Sequence, residues 1–447
     1  MMRSMYAGVS GLRNHQTKMD VIGNNIANVN TAGYKKSRVV FQDTLYQSIR
    51  GASRPTDARG GTNPMAIGLG MAIASIDQIH TPAPASSTNK ASDLAIDGNG
   101  YFIVDNGGQR FYTRAGNFDF DKLGNLISLA NGYRVHGWMA DEDWNIDTVR
   151  SSEPIDIADF KSIPPRATTE MKFTGNLDSN TKVHPDTFGL ATDIPDENEI
   201  IVTSKEVYDS LGNKEELYFR FFKLSIDDTV PETTWACDIS LSPEFSGSIE
   251  GISIADNDKE ISGANVIRIK DLTFDNNGTL PSDAILKSLI IGRSEQGAED
   301  IEFDIDFSHI TQWETKSSAW AEYQDGYTMG NLTTYNFGID GTIQGVYDNG
   351  ESRNLARVAL VNFQNPAGLL QVGSSLYQVS NNSGDPLVGA PGDQGMGALI
   401  PGSLEMSNVD LSEEFTDMII TQRGFQANSR IITTSDEMLQ ELVNLKR

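Results

Sequence analysis

The sequence predicts a multidomain, mainly β protein with a long α-helix at each terminus and nested, discontinuous domains between them. Three observations carry that expectation. Both ends of the chain repeat apolar residues at helical three-four spacing. From about residue 93 onward, short apolar runs alternate with Asn-Gly and Asp-Gly dipeptides, the pattern of strands joined by tight turns. The negative charge is also concentrated in one middle block.

The chain has 447 residues, 38% of them hydrophobic and 21% charged, with a net charge of −26. No apolar run approaches the ~18 residues of a membrane span, so membrane insertion is not expected. The N-terminus lacks the apolar core of a cleaved secretory signal. Residues 1–50 carry 2 acidic and 7 basic residues, whereas residues 151–326 carry 35 acidic and 14 basic. An acidic block of that size argues against nucleic acid and anionic membrane as partners and reads as a solvated, self-repelling outer domain. The single cysteine, Cys237, excludes an intrachain disulfide and reads as a small buried hydrophobe, with an adduct or crosslink as the alternative. His15, His80, His136, His184 and His309 have no metal-ligand spacing, and no cofactor is expected.

Residues 4–29 form the first expected helix. Its seam runs Met5, Gly8, Leu12, His15, Met19, Ile22, Ile26, Val29. Gly8, Gly11 and Gly23 weaken it, and it should stop near Asn30. His15 on the seam reads as a packed, hydrogen-bonded side chain. Residues 31–90 are rich in Gly, Pro and polar residues and read as an extended arm with short strands. The GLG at 68–70 is too short for a dinucleotide fingerprint. Residues 91–145 read as β, with turns at Asn99-Gly100, Asn106-Gly107 and Asn131-Gly132. The aspartates there do not follow calcium-loop spacing, so turn chemistry explains them better.

The acidic insert, 146–326, holds further strand patterns, including a strand–LGN turn–strand at 199–224, and suits an antiparallel sandwich or barrel. Residues 327–407 return to β patterning, with turns at Asp340-Gly341 and Asn349-Gly350. Residues 1–30 and 408–447 are expected to form one helical domain, and 91–145 with 327–407 one β domain.

The last stretch, 411–445, has no Pro and one Gly. Its seam is Leu411, Phe415, Met418, Gln422, Phe425, Ser429, Ile432, Asp436, Leu439, Val443, with Asp410 and Glu413 as a start resembling a capping box. A helix this long spans roughly 50 Å. The most plausible cover within the chain is the N-terminal helix.

NNIANVNTAGYKKS at 24–37, with Asn24, Asn25, Ala27, Asn28, Asn30, Gly33 and Tyr34 as its signature, resembles the N-terminal motif of the bacterial flagellar rod and hook proteins. LAIDGNGYFIV at 94–104, FYTRAGNFDFDKLGNLI at 111–127, ARVALVNFQNPAGL at 356–369 and GSLEMSNVDLSEEFTDMI at 402–419 extend the resemblance. EVYDSLGNKEELYF at 206–219 and the size of the insert place it nearer hook than rod proteins. Two departures are Ala32, where Pro or Thr is usual, and Gly424, where Ala is common and a bend between Arg423 and Phe425 becomes conceivable.

The resemblance implies a structural, non-enzymatic subunit of a self-assembling, curved, torque-transmitting tube at the base of the flagellum, outside the cell after type III export. The terminal helices would line its channel and polymerise through Met5, Leu12, Met19, Ile22, Ile26, Leu411, Phe415, Met418, Phe425, Ile432, Leu439 and Val443. Implied partners are further copies of the chain, the distal rod protein, the hook cap protein, the hook-filament junction proteins, the hook-length control protein and the export apparatus. A rod subunit is the alternative within the family. A β-rich surface adhesin and a cell-wall hydrolase are the alternatives outside it, but no nucleophile elbow, zinc helix or P-loop is present.

Overall fold

A computed structural model describes residues 2–55, 59–184, 200–226, 233–245, 252–254, 267–281, 284–292, 297–393 and 395–444. The protein is mainly β, with one long helix at each end: α1 (Met2–Ala27) and α2 (Leu411–Asn444). Two compact units divide the chain. The first comprises Met1–Phe160, Thr334–Val346 and Ser352–Arg447; the second comprises Lys161–Thr333 and Tyr347–Glu351.

The insert thus begins at 161, later than the change in composition at 146. The reason is local hydrogen bonding. Glu153–Pro154 still ladders onto Arg134–Met139, and Asp156 still bridges to Asn125. Net charge does not mark where a ladder ends. The terminal helices belong to the same compact unit as the first β segments.

In the first unit, an antiparallel sheet runs in the order Ser352–Val358, Arg134–Met139, Tyr101–Asp105, Arg110–Thr113, Leu376–Gln378, Leu370–Gly373. Segments from before and after the insert therefore interleave in one sheet. Its core gathers Tyr101, Tyr112, Trp138, Phe363 and Tyr377, with Phe363 edge-to-face on Tyr112 at 4.9 Å. The arm is two β-ribbons. Ser37–Asp43 pairs with Met71–Gln78, and Tyr46–Arg50 with Met65–Gly68. Every residue of the second ribbon's strands is exposed.

The second unit packs a five-stranded sheet and a four-stranded sheet over one core that includes Phe173, Phe219, Phe221, Trp235, Phe303 and Phe307. The LGN hairpin forms where the sequence places it, between Ile201–Tyr208 and Lys214–Ile226. The sandwich is not wholly antiparallel, because Glu170–Asp178 runs parallel to Ile301–Trp313. These strands lie more than a hundred residues apart, and the intervening chain, which includes the other sheet, supplies the long crossover that parallel pairing needs.

Cys237 sits inside this core, and burial pushes its thiol well above the usual range, which suppresses the thiolate. The adjacent Asp238 is buried between Arg220 and Arg268, with Arg268 Nε donating at 2.7 Å.

The aspartates that resembled calcium ligands do turn chemistry. Asp121 Oδ1 accepts from the Gly124 and Asn125 N–H groups, and its Oδ2 accepts from the Asn125 side chain. Asp209 and Asn213 repeat the arrangement in the second unit. Among the described residues no cluster of three or more His, Cys, Asp or Glu forms a metal site.

A candidate assembly site: the paired terminal helices and their joint

α1 and α2 pack along each other. Asp410 caps α2, its carboxylate accepting from the Ser412 N–H at 2.8 Å. Glu413 does not complete a capping box; it reaches Lys36 Nζ at 2.8 Å. A second cross-link joins Lys18 to Asp417 at 2.9 Å.

On α1 the expected seam faces inward. Ile22 is buried, and Met5, Leu12, Met19 and Ile26 are half-buried. On α2 the face turned inward takes in only part of the apolar seam read from the sequence. Its buried residues are Glu414, Thr421 and Ser435, with Gly424, Phe425, Asn428, Ile432 and Leu439 half-buried beside them. Of the expected seam, Met418, Phe425, Ile432 and Leu439 are partly covered, whereas Leu411, Phe415 and Val443 are exposed at 40%, 50% and 67%.

The cause is close approach. A Cβ on Gly11 would lie 2.7 Å from Asn428 Nδ2, and one on Gly8 would lie 3.4 Å from both Asn428 O and Ile432 Cγ1. The glycines that weaken α1 as a helix make room for α2. The small polar residues on α2 satisfy themselves on their own helix. Thr421 donates to Asp417 O and Ser435 to Ile431 O, each at 2.7 Å. Burial raises the Glu414 carboxyl, against the opposing hydrogen bond from Asn25.

The recurrence of small or polar residues at 421, 424, 428 and 435 was the available sequence signal. An apolar-only search passes over it. Apolar residues are also left outside: Leu411, Phe415 and Ile419 in one row of α2, Ile420, Ile431 and Met438 on another side of it, and Met2, Tyr6 and Val9 on α1.

α2 runs unbroken through Gly424. A Cβ there would lie 2.8 Å from His15 Nε2, so the glycine seats the imidazole, which also meets Phe41 edge-to-face at 5.7 Å. His15 is packed as expected, but its Nδ1 has no hydrogen-bond partner, and burial and Lys18 lower its pKa. Gly424→Ala gains up to ~1 kcal/mol of helix propensity but overpacks the ring at a cost of about 1–3 kcal/mol. The expected result is a less stable helix pair. The loss should be recovered in Gly424→Ala/His15→Ala, as read by a double-mutant cycle of thermal unfolding.

The signature motif forms the joint between α1 and the β unit. Asn25 Oδ1 accepts from Tyr34 Oη at 3.1 Å and from the Ser37 N–H at 3.0 Å. Asn28 Nδ2 donates to Asn24 Oδ1, and Asn28 Oδ1 accepts from Thr31. Ala27 ends the helix, and Asn30 lies exposed in the turn that follows. Gly33 has φ +68 and lies where a Cβ would strike the Arg114–Ala115 backbone at 2.6 Å, so the chain can pass there only as glycine.

Immediately beyond lies a buried ion cluster, which sequence reasoning missed because its members are up to 370 residues apart. Glu405 Oε1 accepts from Lys35 Nζ at 2.6 Å and from the Ala83 N–H at 3.0 Å, and Oε2 accepts from Arg114 Nη1 at 3.3 Å. Lys35, Arg114 and Glu405 are all at most 2% exposed. Arg114 also lies over the Tyr101 ring at 5.0 Å.

Tyr101 Oη meets His80 Nδ1 at 2.8 Å. Burial, with Lys35 and Arg114 nearby, lowers the His80 pKa to about 4, and burial raises Tyr101 to about 12. The unfolded chain therefore takes up a proton on His80 at pH values where the folded chain does not. Stability is full above about pH 6.5 and falls by up to ~3 kcal/mol as the pH drops towards 4. His80→Asn should flatten that part of the difference in melting temperature between pH 7 and pH 4.5.

Family models match most of the chain. They are the flagella basal body rod protein at 5–35, the flagellar hook protein FlgE/F/G D1 domain at 95–171, the flagellar basal body protein FlaE D2 domain at 176–327, and the flagellar basal body rod FlgEFG protein C-terminal at 400–445. The chain is 43% identical over 458 residues to the flagellar hook protein FlgE of Borreliella burgdorferi and 37% identical over 475 residues to that of Treponema pallidum, covering 100% of both chains in each case. The crystal structure of the Helicobacter pylori flagellar hook protein FlgE2 shares the fold at TM-score 0.50 and 15% identity, covering 73% of this chain and 100% of the other. With full-length identity of this order and family domains matched at both ends and in the middle of the chain, the protein belongs to the flagellar hook protein family.

Proposed function

We propose that this chain is a structural subunit of the flagellar hook, outside the cell, and that it self-assembles through the outward faces of α1 and α2. Family membership supports the hook role and self-polymerisation. One observation carries the assembly site. The α1–α2 pair closes on small and polar side chains together with part of the apolar seam, leaving Leu411, Phe415, Ile419 and Ile420 exposed on a single folded chain. Leu411, Phe415 and Ile419 recur every four residues along one side of α2; an exposed apolar row of that kind marks an interaction surface, and in a homopolymer the neighbouring copy supplies the cover.

The expected polymerisation set changes accordingly. Met5, Leu12, Met19, Ile22 and Ile26, with Met418, Phe425, Ile432 and Leu439, first build the pair within the chain. Leu411, Phe415 and Val443, joined by Ile419, Ile420 and Met438, face neighbours. The exposed ribbon carrying Tyr46, Ile49, Met65 and Ile67 offers a further apolar surface to the same polymer. The distal rod, cap, junction and length-control proteins and the export apparatus are proposed partners by family resemblance alone. No enzymatic role is proposed.

Removing residues 1–30 or 411–447 tests the reading by electron microscopy. Loss of tubes is expected, while the β units keep their cooperative unfolding. Tubes of ordinary diameter from either truncated chain would refute helix-driven assembly.

A further inference from the structure

The buried cluster at Glu405 joins three segments that do not depend on one another equally. The segment before α2 is held to the β unit by main-chain ladders. Ala398–Pro401 pairs with Leu94–Asp97, and Ser403–Glu405 pairs with Ala85–Ser87. The Leu399 N–H donates to Ile339 O, the Gly402 N–H to Asp93 O and the Met406 N–H to Pro84 O. None of these bonds involves residues 1–37.

The segment after α1 has fewer main-chain ties: the Ile79 N–H donates to Lys36 O, and pairing with 71–78 begins only at Ser37. The Gly33 N–H donates to Glu405 O at 2.9 Å, and the Lys36 N–H to Asn408 Oδ1 at 2.7 Å. Lys36 Nζ reaches Glu413, and Lys35 Nζ reaches Glu405 and Thr81 O. Most of its long-range anchors therefore lie on the C-terminal segment.

We infer that the joint is an ordered latch: the C-terminal segment seats first by strand pairing and presents Glu405, and the N-terminal segment then closes on it through Lys35. Charge supports this order. Glu405 and Arg114 alone form a balanced buried pair, which can exist before Lys35 arrives. Lys35 and Arg114 without Glu405 would bury two cations with no counter-charge, at a much greater desolvation cost than two cations sharing one carboxylate. Gly33 enforces the geometry of closure, since the chain turns there directly against Arg114 and Ala115. The consequence is a chain whose two terminal segments are locked at this joint by a buried carboxylate, with α1 positioned on α2 only after the β unit is complete.

Amide hydrogen exchange on the full-length soluble chain tests the order. Lys35→Met keeps the aliphatic stem and removes the ammonium. Exchange at residues 33–37 should rise by about tenfold or more, as expected for local opening, while residues 398–406 keep their protection. Glu405→Gln should expose both segments. Exchange in the strands of 201–240 serves as the internal control for folding and should be unchanged in both variants.

Equal loss at 33–37 and 398–406 in Lys35→Met would overturn the ordered latch in favour of concerted closure. Unchanged protection at 33–37 in Lys35→Met, or absence of protection there in the unsubstituted chain, would remove Lys35 as the closing element.

Discussion

Phe415→Asp abolishes tube formation at concentrations where the unsubstituted chain polymerises, and leaves the melting temperature of the soluble chain unchanged. Phe415 is half exposed on α2, flanked one turn away on each side by Leu411 and Ile419, which are also exposed. Half of its surface is already open to solvent, so its loss should not unfold the subunit. Covering such a ring in a polymer contact is worth roughly 1.5–3 kcal/mol, and a carboxylate in its place adds a desolvation penalty. A change of about 3 kcal/mol per contact raises the critical concentration more than a hundredfold.

Phe425→Asp supplies the contrast. Phe425 is half-buried beside α1, so a charge there should disturb the helix pair itself as well as assembly. Sedimentation, electron microscopy and thermal unfolding separate the two behaviours. Tubes from Phe415→Asp at the ordinary concentration would show that the outer stripe does not carry assembly.

Glu405→Gln lowers the stability of the first unit by about 3–5 kcal/mol, the range for removing one partner of a buried ion cluster. The amide oxygen can still accept from Lys35 and Ala83, but the NH2 in place of Oε2 faces the Arg114 donor, so both the charge and one hydrogen bond are lost. Lys35 and Arg114 would be left buried with no anion beside them. Thermal unfolding should separate into two transitions, with the first unit melting earlier and the second little affected. Glu405→Gln with an unchanged first transition would mean that the cluster is already compensated by water or by the neighbouring carbonyls.

Much of the fold was legible because its signals are local. Helical spacing placed α1 and α2 to within two residues at each described end. The LGN turn gave the long hairpin at 201–226, since a turn aspartate and glycine between alternating strands act over a few residues. The acidic insert was visible in composition, although its edge was set by strand pairing at 153–156. The signature at 24–37 points to the family from its residues alone, and its asparagines form a local hydrogen-bond network.

The candidate site was legible only in part. Apolar spacing on α2 identified Phe415 and Phe425 as members of one seam, yet they face different surroundings. The reason is that burial between two helices depends on how closely their axes approach. Gly8, Gly11 and Gly424 bring the axes close, so Thr421, Asn428 and Ser435 share the contact with Phe425 and Ile432, while Leu411 and Phe415 are turned out. Gly424 reads in the sequence as a weak point in the helix, and its neighbour in space is His15.

The sequence by itself determined the elements: two long helices, a turn-rich β body, an acidic insert and membership of an axial flagellar family. The tertiary structure alone decided which faces pair and which stay open, and it alone brought Lys35, Arg114 and Glu405 to one point. Helix spacing and turn chemistry are set by residues a few positions apart, whereas a buried carboxylate is defined by charges that meet only after the chain has closed on itself.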